Sequence, residues 1–196
     1  MTALFFITHP EVVIDPAVPV PDWPLSAIGR RRMERFCEST AARRLAAVVS
    51  SAERKARDGA DILAERLSIP ATVEPDLGEN DRSATGYLAP PEFWDVVDAF
   101  FAQPDRSIRG WERAVDAQSR VVRAVERVAR LPVEGDLAVV SHGGVGALLM
   151  AHLSGAPISR RFDQPHGGGG CCCVIDRDSL RVQEGWRVLE DLGPKA

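Results

Sequence analysis

One plan, used twice, constrains the fold of this chain more than any other feature. Near the N-terminus the sequence reads Leu4-Phe5-Phe6-Ile7-Thr8-His9-Pro10, and far downstream Asp136-Leu137-Ala138-Val139-Val140-Ser141-His142-Gly143-Gly144. Each is a continuous apolar run, too short for a helix and closed by polar residues, which reads as a strand buried on both faces. Each ends on a histidine, and the chain has only 4. In open α/β sheets ligands bind outside the carboxyl ends of the strands. The two runs therefore predict that His9 and His142 face each other across one site.

The remaining periodicity fits such a sheet. Ser26 caps a helix with Ile28, Met33 and Phe36 inward and Arg30, Arg31 and Arg32 on a solvated face. Residues 45–51 form a second strand, and 52–67 a helix with Ala56, Ala60, Leu63 and Leu67 on its stripe. Residues 69–77 are a short extended piece broken by Pro70 and Pro75, ending in the polar turn Gly78-Glu79-Asn80-Asp81-Arg82. Residues 83–110 read as a helical insertion carrying Phe93, Trp94, Val97, Phe100 and Phe101, either a wall over a site or a small satellite core. Residues 111–131 form the longest helix, with Val115, Val122, Val125 and Val128 toward the core, and 145–153 another. His166 and the glycines 167–170 form a loop, and 171–175 with 181–188 a closing hairpin. This alternation predicts one domain over residues 1–196: a three-layer α/β/α fold around a mostly parallel sheet.

Charge and composition narrow the partners. Lys plus Arg total 24 against 28 Asp plus Glu, a formal charge of −4, which disfavours nucleic acid as a partner. No apolar run nears the ~20 residues of a membrane span, and no basic segment precedes the first apolar run as in a signal peptide. Three of the 4 cysteines are consecutive, Cys171, Cys172 and Cys173. Neighbours on a strand point to opposite faces, so reduced thiols and a cytoplasmic setting are expected. The spacing of His166, Cys171 and Cys173 matches no zinc pattern. The glycine run lacks the phosphate-cradling Gly-x-x-x-x-Gly-Lys pattern and precedes a strand. Oligomeric state is not legible.

Four pieces fall at or just beyond strand ends: His9, the Ser50–Arg57 segment, Glu79 and His142. A neutral imidazole can attack phosphorus, a carboxylic acid can protonate a departing alkoxide, and a second imidazole with a cation at a helix head can stabilise the phosphoryl oxygens. Such a set suits phosphoryl transfer without metal or cofactor. Structural readings stand beside these: His9 as a hydrogen-bonded strand-end histidine, Asp81 in place of Glu79 as the acid, Lys55 as an exposed helix residue, and Ser50 and Ser51 as caps.

These residues, in this order, resemble the histidine phosphatase superfamily, also called phosphoglycerate mutase-like. Its Arg-His-Gly strand end is matched by Thr8-His9-Pro10. Its Leu-Ser/Thr-x-x-Gly-Arg helix start is matched by Leu25-Ser26-Ala27-Ile28-Gly29-Arg30, and its Ser-Ser-x-x-x-Arg-Ala segment by Ser50-Ser51-Ala52-Glu53-Arg54-Lys55-Ala56. Its acid is matched by Glu79, and its Val-Ser-His-Gly-Gly motif by Val140 to Gly144 without change. The resemblance implies a phosphomonoesterase, or else a phosphomutase, acting on a small organic phosphate. His9 would be the phosphorylated nucleophile, Glu79 the general acid and base, and His142 a donor to the phosphate. Lys55, Thr8, Gly143 and Arg82 would complete the phosphate pocket. Thr8 and Lys55 stand where the family has arginines and Pro10 where it has glycine, and neither threonine nor lysine reproduces the planar two-pronged clamp of arginine. The alternative is therefore a phosphate-binding or regulatory protein of the same fold with weak or no turnover. Arg54, Arg82, Arg160 and Arg161 are candidate replacement cations.

Overall fold

The computed structural model describes residues 2–165 and 168–192. Six strands form one sheet: β1 (Ala3–Thr8), β2 (Leu45–Ser50), β3 (Ala71–Val73), β4 (Asp136–Ser141), β5 (Cys171–Asp176) and β6 (Val182–Val188), in the order β3-β2-β4-β1-β5-β6. The first four in that order run parallel; β5 and β6 are antiparallel to their neighbours. The main helices are α1 (Ala27–Cys37), α2 (Arg54–Leu67), α3 (Glu92–Ala102), α4 (Ala114–Ala129) and α5 (Gly143–Leu153).

The three layers follow from the strands' two-residue period. In β1, Leu4 and Phe6 enter a core shared with α3, α4 and α5, whereas Ala3, Phe5 and Ile7 enter a second core shared with α1 and α2. β4 divides likewise: Leu137 and Val139 on one face, Ala138 and Val140 on the other. Cys173 and Cys172 join opposite cores, and all 4 cysteines are buried.

Strand order positions the site. β4 lies between β1 and β2, with Thr8 in register with Ser141 and Ser50 with Val140. The His9 amide donates to the Ser141 carbonyl (2.9 Å) and the Ser51 amide to the Val140 carbonyl (3.0 Å), extending the pairing one residue past each strand. His9, Ser51 and His142 are thus brought together by sheet registry alone.

Several packing expectations are corrected. Ile28 is 49% exposed, because the buried face of α1 runs through Gly29, Met33, Phe36 and Cys37 and leaves position 28 a step off the stripe. Arg32 is not solvated: it donates to the carbonyls of Gly169 (3.2 Å) and Gly170 (3.2 Å) and pairs with Glu190. Val115 is only half-buried, since Ala114, Ala117, Val121, Ala124 and Val128 carry the inner face of α4. The extended piece over residues 69–77 is a strand only at β3 and continues as a 3₁₀ turn at Pro75–Leu77. α5 begins at Gly143, two residues early. Val96, Phe100, Phe101 and Trp111 join the main core rather than a satellite one. His166 and Gly167 of the expected loop lie outside the described residues.

Gly29 explains the helix-start motif. A β-carbon there would fall on the Glu11 carbonyl oxygen. Only a glycine lets the loop after β1 cross α1 this closely, and the Ser26 amide bonds that same carbonyl (2.9 Å). The Ser26 hydroxyl accepts from the Gly29 amide (3.0 Å), as expected of a cap.

Candidate active site

His9 leaves β1 with its Nδ1 2.9 Å from the Pro10 carbonyl oxygen. A carbonyl can only accept, so Nδ1 carries the hydrogen and Nε2 keeps its lone pair. The ring's pKa is lowered to about 4, first by burial and then by the Lys55 and Arg82 cations, against the pull of the Pro10 carbonyl and Glu53. At neutral pH the His9 ring is uncharged.

The His142 ring lies 5.2 Å from that of His9, centroid to centroid, at 66°. It is 0% exposed, so it stands in the layer behind His9 rather than on the open wall. Its Nε2 meets Ser51 Oγ at 2.7 Å and Glu53 Oε1 at 3.3 Å, while its Nδ1 is buried with no hydrogen-bond partner among the described residues. Burial lowers its pKa to about 4; Glu53 pulls upward, while His9 and Lys55 push down.

Glu53 is the residue the sequence did not flag. It ends the turn before α2, its Oε2 paired with Lys55 Nζ and its Oε1 accepting the Glu79 amide (2.8 Å). Burial alone would raise its pKa, but His142, Lys55 and the Glu79 amide together hold it well below the carboxylate range. At neutral pH, with His142 uncharged, Lys55 is the cation that holds it. An acidic residue at a helix head is so ordinary a dipole match that nothing marked this one. Lys55 is buried and also donates to the Val20 carbonyl (2.9 Å).

Glu79 folds back on the head of α5. Its carboxylate accepts the amides of Gly144 (3.0 Å), Val145 (3.0 Å) and Asn80 (3.1 Å). A β-carbon on Gly144 would come within 2.7 Å of Glu79 Oε1, so the second glycine of the His-Gly-Gly motif makes room for that carboxylate. Arg120 holds the preceding turn through the carbonyls of Asp76, Gly78 and Glu79. Asp81 instead caps Ser83 and is exposed.

His9, Lys55, Glu79, Arg82 and Gly143 line one cavity of about 590 Å³. Thr8 does not: it is fully buried, and its hydroxyl donates to Gln164 Oε1 (2.6 Å) and accepts from the Cys171 amide (3.0 Å). Gln164, which no sequence signal marked, lines the cavity at this point. Of the candidate cations, Arg82 lies over the Phe93 and Trp111 rings at 5.4 and 5.6 Å and has no ion pair among the described residues. Arg160 also lines the cavity but is paired with Asp98 and Asp163. Arg54 lines a separate depression with Asp22 and Arg57, and Arg161 stacks on Phe162. Among the described residues no cluster of His, Cys, Asp and Glu is shaped for a metal ion, and no helix is long and apolar enough to cross a membrane.

Two neutral imidazoles with lowered pKa, His142 fully buried, set a pH dependence of stability. In the unfolded chain His142 titrates near 6.5 and in the fold near 4, so between those values the unfolded state binds more protons. Stability is full above pH 6.5 and falls as pH drops toward 4, by on the order of 3 kcal/mol for one such ring. Glu53, Lys55, Glu79 and His9 surround the ring; Glu53, held well below the carboxylate range, loses its own contribution only at lower pH. Melting temperature should therefore fall from pH 7 to pH 4.5, and His142→Gln should flatten the slope. An unchanged slope in the variant would show that the ring is not the proton acceptor.

Comparison with known proteins agrees with this architecture. A structure of YhfR from Bacillus stearothermophilus superposes with a TM-score of 0.76 at 24% identity, over 94% of this chain and 95% of that one. A mycobacterial glucosyl-3-phosphoglycerate phosphatase solved with inorganic phosphate gives 0.72 at 25% identity, over 95% of both chains. A putative α-ribazole-5′-P phosphatase from Escherichia coli gives 0.71 at 21% identity, over 100% and 98%. A sequence search of curated proteins gave no match. The family model for the histidine phosphatase superfamily (branch 1) matches residues 14–187, beginning just after His9. With most of its length matched and its fold shared, the chain belongs to the histidine phosphatase superfamily.

Proposed function

We propose that this protein is a phosphomonoesterase working through a phosphohistidine on His9. The observation that carries the reading is the state of that ring: neutral, its hydrogen committed to Pro10 and its other nitrogen unprotonated, beside a polar cavity end. Nε2 attacks phosphorus as the P–O ester bond breaks, and protonated Glu79 gives its proton to the departing oxygen. Water then attacks the phosphohistidine, Glu79 takes its proton, and the P–N bond breaks to release phosphate. Arg82, Lys55 and the Gly143 amide face the phosphoryl oxygens, and His142 backs the His9 ring from the layer behind it. Thr8 supports the pocket from beneath through Gln164. The two relatives named for phosphatase activity support this reaction class.

A second reading has its own observation. Lys55 is already satisfied by Glu53 and Val20, and Thr8 by Gln164 and Cys171, so among the described residues Arg82 is the cavity-lining cation left without an ion pair. The fold would then bind phosphate esters with little turnover. Quenching a reaction with labelled aryl phosphate in base separates the two. Label retained on wild type supports the enzyme; vanadate that raises the melting temperature without any retained label supports the binding protein. In the enzyme, Arg82→Ala should lower kcat about a hundredfold, the typical loss of one preorganised donor. A change under threefold would remove Arg82 from the pocket.

A further inference from the structure

We infer that the site prefers phosphomonoesters whose alcohol half is apolar, an aryl or bulky alkyl group, over polyhydroxylated sugar phosphates. The inference rests on the phosphoryl reading of His9 and names the substrate class for that site.

The cavity of about 590 Å³ is of a size that holds a whole organic ligand, well beyond a phosphoryl group. Its polar groups gather at the His9 end, with Lys55, Glu79, Gly143 and Gln164. Away from that end the wall is built by Trp23, Tyr87, Phe93, Trp94, Val97 and Phe101. Trp94 is 42% exposed, and Ile14, also on the lining, 57%. These are large apolar side chains left at the mouth of a cavity, where a ligand would cover them.

The Trp23 and Trp111 indoles and the Arg82 and Arg160 guanidinium groups of this wall are engaged, while Asn80 Nδ2 has no partner among the described residues. Trp111 donates its indole N–H to Thr85 Oγ1 (2.8 Å), and Trp23 donates to the Asp15 (2.9 Å) and Val18 (3.0 Å) carbonyls. Arg160 is held by two carboxylates while lying 5.5 Å over the Trp94 ring. Arg82 presents its face to two aromatic rings. A sugar placed here would give up water at several hydroxyls and meet ring faces in return, which is costly. An aromatic ring meets edges and faces it can pack against, with the Arg82 guanidinium alongside.

Calorimetric titration of wild type with methylphosphonate, benzylphosphonate and glucose 6-phosphate tests this. The two phosphonates share a charged head and differ by one ring. Benzylphosphonate should bind about tenfold tighter or more, as burial of a ring allows, with a negative heat-capacity change, and tighter than the sugar phosphate. Val97→Asp, on a half-buried face of α3, should shrink the benzyl-to-methyl ratio to under threefold. Val97→Thr, with its melting curve, reports whether position 97 tolerates change, and should give an intermediate ratio. Equal binding of the two phosphonates, or tighter binding of glucose 6-phosphate, overturns the preference while leaving the phosphate site standing. Failure of all three to bind overturns both.

Discussion

His9→Ala should abolish hydrolysis of an aryl phosphate, by about a thousandfold or more, equivalent to at least ~4 kcal/mol of barrier. The size follows from what is lost. On the proposed mechanism, without the imidazole no covalent intermediate forms, and the residual field of Arg82 and Lys55 only binds the ester. The pH profile gives an independent check. Because burial and two nearby cations lower the His9 pKa to about 4, the ring stays unprotonated down to that value. The acid limb of kcat/KM set by His9 should lie near pH 4, not near the 6.5 of a free imidazole. Equal, background-level release of phosphate by wild type and variant would end the nucleophile assignment.

The parts of this site legible in the sequence are those that a strand delivers. A short apolar run fixes a buried strand, the strand fixes where its last residue emerges, and parallel registry brings His9, Ser51 and His142 together across β1, β4 and β2. The Gly29 and Gly144 motifs were visible as spacings, but their reason, space for the Glu11 carbonyl and the Glu79 carboxylate, exists only in three dimensions. What could not be read depends on contacts between distant segments. Gln164 reaches Thr8 across 156 residues, and no local pattern reports such a bond. Arg32 looked like one of three surface arginines until the glycine loop and Glu190 closed on it. Burial of His142 was equally hidden, since a strand-end position is compatible with the open wall or the layer behind it.

Glu53 carries the other large expected effect. Its carboxylate and the Lys55 ammonium form a pair whose side chains are only 14% and 4% exposed. Removing one member of such a pair strands a buried charge, which typically costs about 3–5 kcal/mol. For a chain of this size that is roughly a 10 °C fall in melting temperature. Glu53→Gln is the informative change, because its amide oxygen can still accept the Glu79 amide while the negative charge is gone. The loss should be largely recovered in Glu53→Gln/Lys55→Met, where no charge is left unpaired, so the two substitutions should be strongly non-additive. Phosphate distinguishes a structural pair from one that guards the anion pocket. Lys55 lines the cavity, so in Glu53→Gln an added phosphate can take the place of the missing carboxylate. Millimolar phosphate should then raise the melting temperature of Glu53→Gln by several degrees more than that of wild type, and should have little effect on the double variant. A single variant that melts like wild type would show that Lys55 does not depend on Glu53. A single variant that is destabilised but insensitive to phosphate would confine the pair to holding the fold, because Lys55 would then be out of reach of a bound anion.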